Sequence, residues 1–221
     1  MDIEQARYNM IEQQIRPWEV LDQSVLSLLA IVKREDFVPP ACRALAFVDT
    51  EVPLREGGAR GQSMFSPKLE ARLLQELAVA RHEQVLEIGA GSGYMAALLA
   101  HKAQQVTTFE IVPELARTAE VNLRRAGVHN ARVVEGDGSR GQPEQAPFDV
   151  ILLSGSVAAL PQHLLDQLKV GGRLAAIVGF EPIMRATFVT RIGEDEFRSV
   201  EAFDTVAPRL LGFDEPTRFR F

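Results

Sequence analysis

The stretch Val85-Leu-Glu-Ile-Gly-Ala-Gly-Ser-Gly-Tyr94 constrains this chain more than any other. A short apolar run enters three glycines at alternating positions and then a helical pattern that continues through Ala103. Glycines there let the backbone turn tightly and let a ligand lie against the main chain. Taken alone, the turn is equally an ordinary strand-to-helix connection, but the downstream pattern makes it one unit of a series. Val106–Glu110, Ala131–Glu135, Phe148–Leu153 and Arg173–Val178 read as strands. One helix opens at Pro113, where proline is best tolerated. Another is expected over Ala158–Leu168, with Gly171–Gly172 as its stop. Such alternation implies a mostly parallel twisted sheet with helices on both faces. Ala186–Ile192 and Glu196–Phe203, around Gly193–Asp195, read as a terminal antiparallel hairpin at the sheet edge.

The first part of the chain is different. Ile3, Ala6, Met10, Ile11 and Ile15 share one side of a helical wheel, limited by Pro17. Val20, Val25, Leu28, Leu29 and Val32 continue a helical pattern that stops before Pro39–Pro40. Glu51–Pro67, with its glycines and two prolines, reads as a long ordered loop, and loops of that length tend to be functional. Lys68–Ala80 returns to helical spacing. The expected organisation is a helical extension and loop over residues 1–83, packed as one structural unit with an α/β part over residues 84–221. For Phe219-Arg-Phe221 the sequence favours neither packing on the sheet nor a loose end.

Composition excludes several classes. The 46% hydrophobic and 24% charged fractions are those of a globular chain. A net charge of −6 argues against a nucleic-acid partner, which needs clustered Lys and Arg. No window approaches ~20 apolar residues, so no membrane span is expected, and the amino terminus lacks the apolar core of a signal peptide. A cytoplasmic protein is the expectation. The single cysteine, Cys42, permits no internal disulfide and reads as a small buried hydrophobe. His82, His101, His129 and His163 are scattered without ligand spacing, so no metal site is expected.

Three acids sit where a nucleoside-bearing ligand needs them. Glu87 precedes the glycines, where a carboxylate receives the ammonium of an amino-acid moiety. Glu110 ends the next strand, where an acid accepts from both ribose hydroxyls. Asp137, in Gly136-Asp-Gly138 after the third, is placed to meet an adenine amino group. Each alone is a surface acid by default, but together they line the carboxyl ends of successive strands, the ligand crevice of such sheets. The combination resembles the Rossmann-like class I methyltransferases. It implies S-adenosyl-L-methionine as cofactor, S-adenosyl-L-homocysteine as product, and Glu87, Gly89, Gly91, Ser92, Gly93, Glu110, Ile111, Asp137 and Gly138 as cofactor-binding residues.

Beyond the cofactor motifs, the chain resembles the protein-L-isoaspartate O-methyltransferase family over nearly its whole length. Asn9-Met-Ile-Glu-Gln-Gln-Ile-Arg16, Val20–Asp22, Phe37–Pro39 and Asp49 through Pro53–Leu54 follow that family's helical preface. Gly136–Asp149, Gln167–Leu174 and Val178–Gly179 continue the match. The resemblance implies methyl transfer to the free carboxylate of isoaspartyl residues in proteins or peptides, by a monomer or homodimer. A carboxylate acceptor is already ionised at neutral pH, so no strong base is needed. The protein's tasks are alignment and exclusion of water.

The family's substrate loop reads Gly-Gln-Thr-Ile-Ser-x-Pro, and its serine helps hold the acceptor carboxylate. Here Gly61-Gln-Ser-Met-Phe-Ser-Pro67 puts Phe65 at that serine and Ser66 one residue later. Ser63 and Ser66 are the expected catalytic residues. Lys68 and Glu70 replace the family's usual histidine, tyrosine or small residue, and Val206-Ala-Pro-Arg-Leu210 only partly matches the Phe-Val-Pro-Leu-Thr run that closes over the site. Phe65 keeps two further readings open: a relative with a different acceptor, and a cofactor-binding protein without catalysis.

Overall fold

A computed structural model describes residues 2–57 and 61–215. Phe219–Phe221 and residues 58–60 of the expected loop therefore lie outside the described residues. The centre is a seven-stranded sheet in the order β5-β4-β3-β6-β7-β8-β9. Its strands are β3 (Gln84–Ile88), β4 (Gln105–Glu110), β5 (Ala131–Glu135), β6 (Phe148–Val157), β7 (Leu168–Phe180), β8 (Ile183–Arg191) and β9 (Phe197–Thr205). Strands β3 to β7 pair in parallel, and β8 and β9 add the antiparallel hairpin at one edge. The order turns back between β3 and β6, and that switch point is where ligands bind such sheets.

Alternate residues of each central strand enter different cores. Val85, Val150, Leu152, Ala175 and Ile177 join one cluster with α3 (Pro67–Leu77) and α4 (Tyr94–Lys102). Leu86, Ile88, Ile151, Leu153 and Leu174 join the other with α6 (Gln162–Leu165). The period of two along a strand therefore fixes which helix meets which face. Helix α5 (Pro113–Arg125) starts with proline in its first turn and buries Leu115, Ala116, Ala119 and Leu123 along one stripe.

The extension shares the first core. Helix α1 (Ile3–Asn9) is capped by Asp2, whose carboxylate accepts from Gln5 N at 3.1 Å. It widens into a π-helical turn, Met10–Ile15, that buries Met10, Ile11 and Ile15, and a 3₁₀ turn carries Pro17. Helix α2 (Gln23–Ile31) is capped by Asp22, and Pro40–Phe47 form a 3₁₀ helix where the sequence showed only a stop. The expected loop Glu51–Pro67 contains a hairpin, β1 (Val52–Pro53) against β2 (Ser63–Met64), too short to show a period of two.

Two expectations at the far end of the sheet are corrected. The helix placed at Ala158–Leu168 is only the single turn Gln162–Leu165, because β6 runs on to Val157 and β7 begins at Leu168. Gly171–Gly172 lie inside β7 rather than ending a helix. There the pairing jumps from Phe148–Leu168 to Val150–Arg173, and a Cβ on Gly172 would stand 2.9–3.0 Å from three backbone oxygens. Cys42 is half-buried and packs against the first core rather than inside it.

Arg34 ties the extension together. It is 1% exposed; its Nε donates to Glu70 Oε2 at 3.0 Å, Nη1 to Ala46 O at 2.9 Å and Nη2 to Phe65 O at 2.6 Å. Removing one partner of a buried pair is costly because the other stays buried and unpaired, about 3–5 kcal/mol. Arg34→Met is expected to lower the unfolding free energy by about that amount in urea titration, and Glu70→Leu in the same chain to recover part of it.

Candidate active site

The glycine turn after β3 forms the floor of a cavity at the carboxyl ends of the strands. Gly89, Gly91 and Gly93 have φ of 98°, 54° and 83°, left-handed values that side chains resist. Gly93 also leaves no room for a side chain, since a Cβ would lie 3.1 Å from Ala119 O, so α4 and α5 pack through it. The turn is anchored sideways by Gly89 N and Ala90 N, both donating to Phe109 O at 2.9 Å.

Around that floor the cavity is walled by Leu54, Ser63, Phe65 and Glu70 from the extension, Ser92, Tyr94, Glu110 and Ile111 from the α/β part, and Ser154 from β6. Pro208–Leu211 close it from the carboxyl-terminal side. This closing segment is held like an added strand. Ser156 N donates to Pro208 O at 2.7 Å, Leu210 N donates to Ser156 O at 2.9 Å, and Ser156 Oγ donates to Ala207 O at 2.9 Å. The pairing of β6 with β7 is irregular between Leu152 and Ser156, and Ser154, inside this bulge, lines the cavity. Leu210 packs so closely on Gly155 that a Cβ there would be 2.6 Å from its Cγ.

Of the residues singled out in the sequence, Ser63, Gly89, Gly91, Ser92, Glu110, Ile111 and Gly138 line this one cavity. Glu110 Oε2 accepts from Gly91 N at 2.8 Å and Oε1 from Val112 N at 3.0 Å, so its carboxylate also holds the glycine turn. Ser63 Oγ donates to Glu51 Oε2 at 2.6 Å.

The other four stand outside the wall. Ser66 is the residue before α3, its backbone oxygen accepting from Leu69 N and Glu70 N. Gly93 is taken up by helix packing. Asp137 is exposed; it accepts from Ser139 N at 2.8 Å and lies against Gly212, where a Cβ would be 2.4 Å from Asp137 Oδ1. Glu87 is wholly buried and reaches the cavity through Ser154, whose Oγ donates to Glu87 Oε1 at 2.7 Å. Its Oε2 has no hydrogen-bond partner among the described residues.

Sequence reasoning did not single out Tyr94, Ser154, Arg209 and Leu210 as site residues. Tyr94 is buried with an unpartnered hydroxyl, and its ring meets Phe37 edge-on with centroids 5.3 Å apart. The one signal available for Arg209 and Leu210 was their place in the run 206–210.

Burial dominates the electrostatics. It pushes the carboxyls of Glu87 and Glu70 up to about 7, against the opposing pull of Ser154 and Thr108 on Glu87 and of Arg34 on Glu70. Glu110 and Glu70 add to the rise at Glu87, so the three acids act on one another.

A parallel sheet with this order, a glycine turn at the switch point and acids on successive strand ends define a class I S-adenosylmethionine-dependent methyltransferase. The model of the family described as Protein-L-isoaspartate(D-aspartate) O-methyltransferase matches residues 5–205. A protein-L-isoaspartate O-methyltransferase of Methanoculleus marisnigri is 42% identical over 173 residues, 78% of this chain and 77% of that protein. Protein-L-isoaspartate O-methyltransferase 2 of Marinobacter nauticus is 38% identical over 212 residues, 96% of this chain and 95% of that one. Among solved structures, a protein-L-isoaspartate O-methyltransferase aligns with a TM-score of 0.78 at 24% identity, over 91% of this chain and 65% of its own. A putative one from Plasmodium falciparum, in complex with S-adenosyl-L-homocysteine, aligns with a TM-score of 0.75 at 19% identity, over 92% and 98%. This chain belongs to the protein-L-isoaspartate O-methyltransferase family.

The burial of Glu87 has a measurable consequence without any ligand. Its folded carboxyl is protonated up to about 7, while an unfolded one ionises near 4.5. Its cost to stability is absent below the lower value, grows between the two and is constant above the upper. Glu87→Gln is therefore expected to match the wild type near pH 4.5 and to become more stable, by on the order of 1–3 kcal/mol, by pH 7. Denaturant melts across that range check it; a difference constant with pH would contradict the burial argument.

Proposed function

We infer that this protein is an S-adenosylmethionine-dependent O-methyltransferase that methylates the free carboxylate of isoaspartyl residues in proteins and peptides, the first step of their repair. The match of the family model across residues 5–205 carries the reading. The cavity supports it with the chemistry that such a reaction needs.

The residues present fit the cofactor. S-adenosylmethionine bears a sulfonium and an ammonium; Glu110 and Glu70 stand on the cavity wall, and Glu87 lies behind Ser154 with one oxygen that has no partner among the described residues. Glu87, through its free oxygen and with Ser154 holding the other, would receive the ammonium. Glu110 would take the ribose hydroxyls, and Gly89, Gly91, Ser92 and Gly138 would let the ligand lie against the backbone, with Ile111 beside it. Gly138 is also required by packing, because a Cβ there would stand 2.7 Å from Phe109 Cβ. Asp137 belongs to the same proposal as the adenine partner, from its exposed place beside Gly212.

When bound, the cofactor supplies an electrophilic methyl group. The chain's own part is to align the acceptor, exclude water and hold a favourable field. Leu54, Phe65, Met95 and Leu210 make the walls apolar, and a carboxylate acceptor enters already ionised, so no side chain has to remove a proton. Ser63, on the wall, would meet the acceptor, and Ser66 would act from the start of α3 by setting the loop. Residues 1–83 contribute the acceptor side and residues 84–221 the cofactor side of one unit. The same proposal has a monomer or homodimer working in the cytoplasm, where the cofactor is supplied, on protein and peptide chains. The net charge of −6 disfavours a nucleic-acid substrate. No helix among the described residues is long and apolar enough to cross a membrane.

A matched pair of peptides, one isoaspartyl and one aspartyl, tests the reading with labelled S-adenosylmethionine. Methyl ester is expected on the isoaspartyl peptide alone; protein that binds cofactor but modifies neither would sink it. A second outcome follows from Glu87. An ammonium beside it favours the ionised carboxylate, so binding releases a proton below pH 7. Cofactor affinity should therefore rise with pH up to about 7 and then level off. Calorimetric titrations in buffers of different ionisation enthalpy report both, and Glu87→Gln should abolish the dependence.

A further inference from the structure

Residues 136–142, which follow β5, belong to no strand or helix, yet they reach the cavity. Gly136 and Gly138 line its wall on either side of Asp137. The carboxylate of Asp137 lies against Gly212, whose neighbour Leu211 lines the wall too, so it stands at the rim. A segment without regular structure has to find other partners for its backbone groups. Here they come from one place, the single turn α6 and the residues that lead from it into β7.

Gln167 spends its whole side-chain amide there. Oε1 accepts from Gln142 N at 2.8 Å, and Nε2 donates to Arg140 O at 2.9 Å and to His163 O at 3.0 Å. Gly141 makes room for it, since a Cβ at that position would collide with Gln167 Oε1. His163 adds a further hold: its Nε2 lies 2.7 Å from Ser139 O, and because that partner is a carbonyl the nitrogen carries the proton. Ser139 N in turn donates to Asp137 Oδ1 at 2.8 Å. Hydrogen bonds therefore run from α6 through Ser139 to the carboxylate of Asp137, whose Oδ2 has no partner among the described residues. A helix of one turn has little stability of its own, so the contacts that place the loop also place α6.

We propose that His163 and Gln167 are positioning residues that set the base selectivity of the cofactor site, by fixing residues 136–142 so that Oδ2 of Asp137 meets the 6-amino group of a purine. The inference rests on the adenine role given to Asp137 above. A carboxylate accepts from a 6-amino group and repels the oxygen of a 6-oxo purine, so a fixed one tells the two bases apart. One that can swing away loses the favourable contact and escapes the unfavourable one. Neither His163 nor Gln167 lines the cavity, so the selectivity is decided by side chains that do not touch the ligand.

The test uses the full chain with Gln167→Met, His163→Leu, His163→Gln and Asp137→Asn. Calorimetry compares the binding of S-adenosylhomocysteine with that of S-inosylhomocysteine, which carries a 6-oxo purine. The wild type is expected to prefer the adenine ligand by on the order of 10- to 100-fold, and Asp137→Asn to abolish the preference. Gln167→Met and His163→Leu should lower the affinity for S-adenosylhomocysteine about 10-fold and that for S-inosylhomocysteine much less, so that the preference narrows. His163→Gln, which offers an N–H close to the place of Nε2, should keep most of it. His163 is exposed, so its variants decide the matter even where Gln167→Met does not fold. An equal loss for both ligands overturns the inference, because the two residues would then only support the cavity; an unaltered preference overturns it as well. A wild type without base preference, or Asp137→Asn with the preference intact, removes Asp137 from the base and overturns it while the methyltransferase reading stands. A wild type that binds neither ligand fells the cofactor reading and this inference with it.

Discussion

The structure depends on a stretch of backbone where side chains cannot go. Gly89, Gly91 and Gly93 each adopt a left-handed φ within five residues, which turns the chain out of β3 and straight into α4. Any Cβ added at Gly93 would meet Ala119 from α5, and any added at Gly89 would meet Ser154 O and Leu210. The same three positions thus set how α4 and α5 pack, how closely β6 approaches, and where the closing segment rests. The floor of the cavity is backbone for this reason. Backbone amides there are pinned to Phe109 O and to the carboxylate of Glu110, so the floor is shaped before any ligand arrives.

A floor made this way leaves charge to the walls, and the walls are unbalanced. Burial holds the carboxyls of Glu87 and Glu70 near 7, well above the ordinary carboxyl range. A cationic ligand converts that strain into affinity: it draws each nearby carboxyl toward its charged form and is held by it. Stability is lost to an arrangement that binding repays, as expected where titratable groups are kept away from their ordinary values at a functional site. The extension takes part through Glu70, whose partner Arg34 also clamps Phe65 O. One buried ion pair within the extension therefore sets both Glu70 and Phe65 on the cavity wall.

The βα units could be read directly because each signal was local. Val85–Tyr94, the proline opening α5 and the Gly193 hairpin are each decided by residues within a few positions of one another, and each stands where its pattern put it. Ala158–Leu168 failed for the opposite reason. Its apolar spacing fits a helix, but the residues on either side are drawn into β6 and β7 by partners elsewhere in the sheet, and only one turn is left. Gly171–Gly172 looked like a helix stop because glycine marks any left-handed turn, and here the turn is an irregularity inside a strand. Site residues divide the same way. Those in or beside the glycine turn were legible. Arg209 and Leu210 were not, because nothing local says that this segment pairs with Ser156, far away in the chain, and so arrives over the cavity.

That distant pairing explains why a substitution in the loop and one in the closing segment have to be considered together. Phe65 is buried and cavity-facing, and its carbonyl is held by Arg34, so the loop cannot easily re-aim a hydroxyl from Ser66, whose backbone already starts α3. The closing segment is held by three hydrogen bonds to Ser156, two of them through backbone N–H groups, and backbone pairing of that kind fixes the main chain without constraining what the side chains are. Of the two surfaces that meet over the cavity, one is apolar and held by Arg34, and the other has its main chain fixed by Ser156 and its Leu210 packed on Gly89 and Gly155. The glycine floor that both surround is therefore closed over by the residue, Leu210, for which its missing side chains make room.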